Sequence, residues 1–273
     1  MNEQVTMKIA HPSSFTAVDT ADDPTAFTSF LDLLATCRGI GSGRAIVAER
    51  LGLGPGSTLL DLGCGTGDQT RELARRVAPG GRAVGVDLSQ TMVDEARRRA
   101  AGADVAVEFE VGDAQALPYD DATFDACRAE RMLIHVPDAG AALAEMVRVT
   151  RPGGRVAVID ADTESILFDS ADRTVTRRVV ASFTDNFQNG WIGRQLPRLM
   201  SGAGLTSLTV EPYVISFDPD AIAAMLDSHL ALMVATGAGS EEGLGPWRAE
   251  VGDQAISLVH MTLFAVVGVK SER

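Results

Sequence analysis

The sequence predicts an α/β fold: a mostly parallel sheet of seven strands, with an N-terminal helical lid and an inserted helical cap. Three observations carry this expectation. From Ser57 onward, short apolar runs alternate with amphipathic helical stretches, the pattern of strand–helix–strand units whose right-handed crossovers cover a parallel sheet on both faces. Gly/Pro breakers separate the runs at Pro79-Gly80-Gly81 and Pro152-Gly153-Gly154. The first apolar run ends in a glycine-rich loop that opens a helix, the place where open α/β sheets bind ligands.

Residues 1–50 read as the lid segment. They are polar and turn-rich to about residue 35, with helices expected at 27–34 and 42–51, and the breaker Gly52-Leu53-Gly54-Pro55-Gly56 closes the segment. Residues 51–273 read as the main domain. Strands are expected at 58–62, 83–87, 105–111, 124–129 and 155–160. Between them lie a helix at 69–77, one capped by Ser89 and running to 101, and one capped by Asp138 and running to 150. Beyond Asp160 the regular spacing ends. Helices at 172–186 and 192–203 precede a strand at 207–217. Helical material at 219–235, a Gly-rich loop at 237–245 and a helix to 256 precede the last strand, 260–269. The stretches 162–203 and 218–256 are the expected cap insertions, the second rich in Met, Leu and Ala.

Composition excludes several classes. A formal net charge of −13 argues against a surface built to neutralise phosphates, so nucleic acid is not an expected partner. The basic run Arg97-Arg98-Arg99 sits beside Asp94 and Glu95 and reads as a solvated helix face. The longest apolar run, 259–269, is shorter than the roughly 20 residues that span a bilayer and suits a buried strand. Residues 1–10 carry no apolar signal core. Three cysteines form no disulfide framework, which with the missing signal points to a cytoplasmic setting. The four histidines are scattered, and none has metal-ligand spacing. Monomer and homodimer both stay open.

The sharpest motif is Asp61-Leu62-Gly63-Cys64-Gly65-Thr66-Gly67-Asp68. Glycines allow positive φ and a close approach of ligand to backbone. The dinucleotide fingerprint Gly-x-Gly-x-x-Gly fails from either start: the third glycine would fall on Asp68 or Thr70. Asp68 would also bring negative charge to a pyrophosphate seat. The acid Asp61 ahead of the loop suits an ammonium group. Asp87, about twenty residues after the last glycine, stands where a ribose-binding acid belongs. The pattern fits a ligand with a ribose and an amino acid and no diphosphate, which is S-adenosylmethionine.

Five segments in order resemble the class I S-adenosylmethionine-dependent methyltransferases, in the small-molecule branch that includes ubiquinone and menaquinone biosynthesis and natural-product enzymes. They are Leu60-Asp61-Leu62-Gly63-Cys64-Gly65-Thr66-Gly67, Gly85-Val86-Asp87-Leu88-Ser89, Gly112-Asp113-Ala114, Leu117-Pro118 with Phe124-Asp125, and Arg151-Pro152-Gly153-Gly154. The resemblance covers roughly residues 55–160 and implies a Rossmann-like sheet. It also implies roles. Gly63, Gly65 and Gly67 would let the backbone meet the methionine part, and Asp61 would orient its ammonium. Asp87 would hold the ribose, with Leu88 and Met92 against the adenine. Asp113 and the Ala114 N–H would take the adenine edge, and Arg128 to Glu130 would line the methionine end. Met92 has an ordinary core reading as well, and Asp113 a turn-capping one.

A sulfonium methyl is already activated, so the protein must align the reacting atoms and exclude water, and a base helps where the acceptor loses a proton. His135 is the candidate base, with the alternative that it packs behind its loop. Asp160 is the second catalytic candidate, to orient a base or bind a cationic acceptor, with Asp162 behind it. The acceptor pocket is expected from Phe15, Phe27, Phe30, Leu31, Phe183, Phe187, Trp191, Met225, His229 and Met233. Such an apolar pocket suits a hydrophobic small-molecule acceptor of secondary metabolism. Rival readings are a protein of this shape that binds S-adenosylmethionine but catalyses a cyclisation, a nicotinamide oxidoreductase, and a non-catalytic partner.

Overall fold

The computed structural model describes residues 12–217, 219–252 and 259–272. A 3₁₀ segment, Pro12–Thr20, leads into α1 (Thr25–Thr36) and α2 (Ile40–Arg50). The sheet unit follows: β1 (Thr58–Leu62), α3 (Asp68–Val77), β2 (Arg82–Asp87), α4 (Gln90–Ala100), β3 (Val107–Val111), β4 (Phe124–Glu130), α5 (Ala139–Val149) and β5 (Thr150–Leu167). Then come α6 (Arg173–Asp185), α7 (Ile192–Gly202), β6 (Leu205–Ser216), α8 (Pro219–Ala235), α9 (Glu241–Gly252) and β7 (His260–Lys270).

Local chemistry accounts for these elements. In α3 the buried residues Thr70, Leu73, Ala74 and Val77 recur at helical spacing and form one apolar stripe against the sheet. The Ser89 hydroxyl accepts the Met92 N–H at 3.2 Å and starts α4. Asp138 accepts the Ala141 N–H at 2.9 Å and starts α5. The seven strands lie in the order β3-β2-β1-β4-β5-β7-β6. The first five are parallel, and β7 runs antiparallel to both β5 and β6. Strands β1, β4 and β5 are buried almost throughout, as expected for strands covered on both faces.

Two expectations change here. The fifth strand does not stop at Asp160: β5 pairs with β7 from Arg155↔Val269 to Asp162↔Thr262 and again at Leu167↔His260. The antiparallel partner extends it. Nor is 162–203 all cap, because α7 packs on β5, β6 and β7. A Cβ at Gly193 would lie 2.7 Å from the Ala161 carbonyl carbon, so glycine lets the α7 backbone lie directly on the sheet. Of the expected cap, α6, α8 and α9 pack on one another, and α6 packs on β5 as well. Residues 1–11 of the expected lid and 253–256 of the expected cap lie outside the described residues. Helix α2 packs on β6 and β7, with Gly43 seated against the Tyr213 ring. What remains of the expected lid is the 3₁₀ segment with α1.

Candidate active site

A cavity opens at the carboxyl ends of β1, β2, β4 and β5, as the sheet topology dictates. Its floor is the loop after β1. Gly63, Gly65 and Gly67 all have positive φ, at 64°, 52° and 75°. Gly63 and Gly65 line the cavity. Gly67 does not. A Cβ there would lie 2.5 Å from the Phe109 ring and 3.0 Å from Ala96, so this glycine serves helix–sheet packing rather than ligand contact. That corrects its expected role.

Asp87 sits on the cavity wall and accepts the Gly65 N–H at 2.8 Å and the Ser89 N–H at 3.0 Å. Burial pushes its carboxyl up, against those two bonds. Leu88 beside it is 60% exposed, while Met92 is buried among Val18 and Phe27 and still reaches the wall. Asp113 accepts the Gln115 N–H at 2.8 Å and lines the cavity with Ala114. An apolar slot edged by Asp87 and Asp113 is thus present where a nucleoside was expected. The 3₁₀ segment borders it through Phe15, Thr16 and Val18. Asp19 Oδ1 accepts the Ser89 hydroxyl at 2.6 Å and the Thr91 N–H at 3.0 Å, and Oδ2 accepts the Gln90 N–H at 2.9 Å. These bonds lower the Asp19 carboxyl to about 2, although burial opposes them.

Below the loop runs a buried chain of charges. Asp61 accepts the Thr70 hydroxyl at 2.6 Å and Arg128 Nη1 at 2.8 Å. Arg128 Nη2 donates to Glu130 at 2.5 Å, and Arg44 Nε donates to both Glu130 oxygens at 2.9 and 3.0 Å. Burial would raise Glu130, but Arg128, Arg44 and Arg131 hold it below the usual carboxylate range. Burial pushes Asp61 up against the pull of Arg128 and Thr70. Asp61 thus reaches the cavity already paired, as one end of an Asp61–Arg128–Glu130–Arg44 chain that lines it.

The turn after β4 carries Arg131 and His135 to the cavity. His135 lies between Phe15 of the lid, at 5.4 Å between ring centres, and Phe187, at 5.9 Å. Its ring nitrogens have no hydrogen bond among the described residues. Burial, then the charge of Arg131, lowers it to about 4, so it is neutral at pH 7. Asp160 is fully buried against this turn and also lines the cavity. It accepts the Ile134 N–H at 3.2 Å and the Ala161 N–H at 2.9 Å, and burial raises it to about 7 despite those bonds. Its geometry is that of a group holding the turn. Asp162, the second candidate, is committed to Arg194 at 2.5 and 2.7 Å.

Of the expected acceptor wall, Phe15, Phe30, Leu31, Phe183, Phe187 and Met225 line the cavity. Phe27 packs into the Val18–Met92 cluster instead, and Trp191 is 46% exposed with Arg194 stacked on it. His229 and Met233 are buried in the cap outside the lining. Sequence reasoning missed Arg44, Arg131, Ile215, Phe217 and Met261 on the wall. Only Arg131 had a local signal: a third charge at the end of an apolar strand, one residue after Glu130.

Comparison with known proteins finds likenesses over part of the chain. Residues 59–154 match a family described as a methyltransferase domain. Among curated proteins, an uncharacterized 37.1 kDa protein in transposon TN4556 of Streptomyces fradiae is 44% identical over 190 residues, 69% of this chain and 55% of that protein. Methyltransferase GfsG of Streptomyces halstedii is 39% identical over 127 residues, 46% of each. The chain spans about half the length of these relatives. Among solved structures, the [4+2]-cyclase SpnF superposes with a TM-score of 0.55 at 24% identity, over 84% of this chain and 80% of that one.

Proposed function

From a class I methyltransferase fold with its methyltransferase domain at residues 59–154, we propose that the protein binds S-adenosylmethionine and transfers its methyl group to a small hydrophobic acceptor. The observation that supports this most is one continuous cavity. It joins the Gly63–Gly65 loop and Asp87 on one side to His135 and a wall of Phe183, Phe187, Phe217 and Met261 on the other.

The residues present fit the cofactor. Gly65 has no side chain to fill the space above the loop, and a Cβ there would press on Leu31 at 3.0 Å. Asp87 spends one lone pair of each oxygen on backbone N–H groups, which leaves acceptor capacity for ribose hydroxyls. Leu88 and Met92 offer apolar contact to a base, and Asp113 an acceptor at its edge. The Asp61–Arg128–Glu130–Arg44 chain offers both signs of charge to an ammonium and a carboxylate. When bound, the cofactor supplies an electrophilic methyl on a sulfonium. The chain's own task is alignment and exclusion of water. Phe15, Val18 and Leu31 of the lid cover the slot, and Phe183 and Phe187 close the other side. His135, neutral and with unpaired ring nitrogens, is able to take a proton from an acceptor hydroxyl or amine, and Asp160 positions its turn.

Calorimetric titration with S-adenosylhomocysteine and with NAD tests the binding half. Binding of the first and not the second is expected, and the reverse result would overturn the reading. Mass spectrometry of small-molecule extracts incubated with enzyme and cofactor tests the transfer half, through a mass gain of one methylene. A second reading keeps the cofactor and drops transfer, as the shared fold of the cyclase SpnF suggests; full turnover without mass gain would favour it.

A further inference from the structure

We propose that Arg131 is the specificity-determining residue of the acceptor pocket, and that it pairs with an acidic oxygen (a carboxylate, a phenol or an enolised carbonyl) on an otherwise apolar acceptor. This deepens the methyl-transfer reading and rests on it.

Arg131 lines the cavity, on the turn that follows β4, with its side chain 18% exposed. Its backbone is left-handed, with φ at 53°. A bulky side chain adopts that conformation only where the surroundings impose it, and such strain gathers at functional sites. Here the Arg131 N–H donates to the Ile159 carbonyl at 2.7 Å and fixes the residue at the edge of the sheet. The side chain gains little in exchange. Its Nε is buried without a hydrogen-bond partner, and no guanidinium N–H donates within the described residues. The nearest carboxylate oxygen, on Glu130, stands 3.8 Å from Nε, and both Glu130 oxygens already accept from Arg44 and Arg128.

The charges around it do not balance. Three guanidinium groups, Arg44, Arg128 and Arg131, share two carboxylates, Asp61 and Glu130. Asp160 is the third acid near Arg131, but it is bound to backbone N–H groups and burial holds it close to half-protonated at neutral pH. A buried guanidinium short of partners is costly and is relieved by an anion that brings both charge and acceptors. The guanidinium fork matches a carboxylate or similar oxygen pair. The charge of Arg131 is felt by His135, Asp160 and Tyr213. Arg131 lines the cavity together with His135 and Asp160. The neighbouring wall of Ile215, Phe217, Phe187 and Met261 is apolar, so Arg131 is the polar anchor for one end of a greasy molecule.

The test uses 2-naphthoate and its uncharged counterpart 2-naphthamide as probes, titrated calorimetrically into the protein with and without S-adenosylhomocysteine. Wild type is expected to bind naphthoate at least about tenfold more tightly than naphthamide. Arg131→Met is expected to erase that preference, Arg131→Lys to keep part of it, and both to hold S-adenosylhomocysteine within about threefold of wild type. That last measurement also reports that the variants are folded. Equal binding of the two probes by wild type overturns the proposal. So does a loss of S-adenosylhomocysteine affinity in Arg131→Met with the naphthoate preference intact, which would assign the guanidinium to the cofactor's carboxylate. The two readings fail separately: absent S-adenosylhomocysteine binding sinks the methyl-transfer reading, while the probe preference of the ligand-free protein still judges Arg131.

Discussion

His135 and Asp160 respond to acid in opposite senses. His135 falls to about 4 in the folded chain, from 6.5. As pH drops below 6.5 the unfolded chain takes the proton first, so stability falls until about pH 4. Asp160 rises to about 7 from 3.8. Between these values the folded chain keeps a proton that the unfolded chain releases, so stability falls as pH rises through about 7. Each full shift corresponds to at most about 3–4 kcal/mol, and from pH 4 to 6.5 the two oppose each other. His135→Phe, which keeps the contacts to Phe15 and Phe187, should leave a protein whose urea midpoint falls from pH 4.5 to 7. Asp160→Asn should leave one whose midpoint rises over the same range. Identical pH profiles for the two variants would contradict this assignment. In catalysis, His135→Ala is expected to lower turnover about 100-fold with S-adenosylhomocysteine affinity unchanged; unchanged turnover removes His135 from the mechanism. Asp87→Ala is expected to weaken S-adenosylhomocysteine at least about tenfold by calorimetry, as a buried acceptor is lost. That Gly63, Gly65 and Asp87 line the cavity was legible because backbone demands write themselves as glycines and a strand end writes itself as Asp87. Arg131 was not read as a site residue because its meaning lies in missing partners, which only a fold reveals.

At the scale of elements, the lid is held by a side chain rather than by an apolar seam alone. Asp19 adds to the Ser89 cap of α4 by accepting the Gln90 and Thr91 N–H groups, so the 3₁₀ segment is tied to the helix that also carries Met92. Asp19→Ala should cost about 1–2 kcal/mol, the usual price of a lost cap. It should speed hydrogen exchange in residues 12–20 and hasten S-adenosylhomocysteine release in stopped flow. Unaltered exchange there would show that apolar contacts alone hold the segment. With its carboxyl near 2, this contact persists above about pH 4 and is lost as pH falls through 2. Arg99 adds a second tie from α4 to α1 through Asp32, at 2.7 and 2.9 Å. The basic run was expected to be plain solvated helix surface. Arg98 fits that description, paired with Glu95 and largely exposed, whereas Arg99 links two elements.

At the scale of the molecule, cofactor binding should register as stability. Saturation at 100 times Kd adds about 2.7 kcal/mol, which for a chain of this size raises Tm by roughly 5–8 °C. A flat thermal shift would speak against a preformed site. The alternation of strands and helices from β1 to β5 was legible because parallel strands buried on both faces are continuous apolar runs, and Pro79-Gly80-Gly81 separates α3 from β2, although Pro152-Gly153-Gly154 falls inside β5 rather than before it. The far half of the sheet was harder to read. Period alone does not tell that β5 extends to Leu167, since its pairing with β7 spans nearly a hundred residues of sequence. The same distance hid α7 as a sheet helix, because the clue at Gly193 is a contact with Ala161 rather than a local pattern. That topology has a consequence for synthesis. Among the described strands, β6 has β7 as its one sheet neighbour, and β7 follows it in the chain only after α8 and α9. The nascent chain can therefore assemble β1 to β5 while β6 waits with both edges bare. Until β7 is made, β6 is the segment a chaperone would be expected to grip.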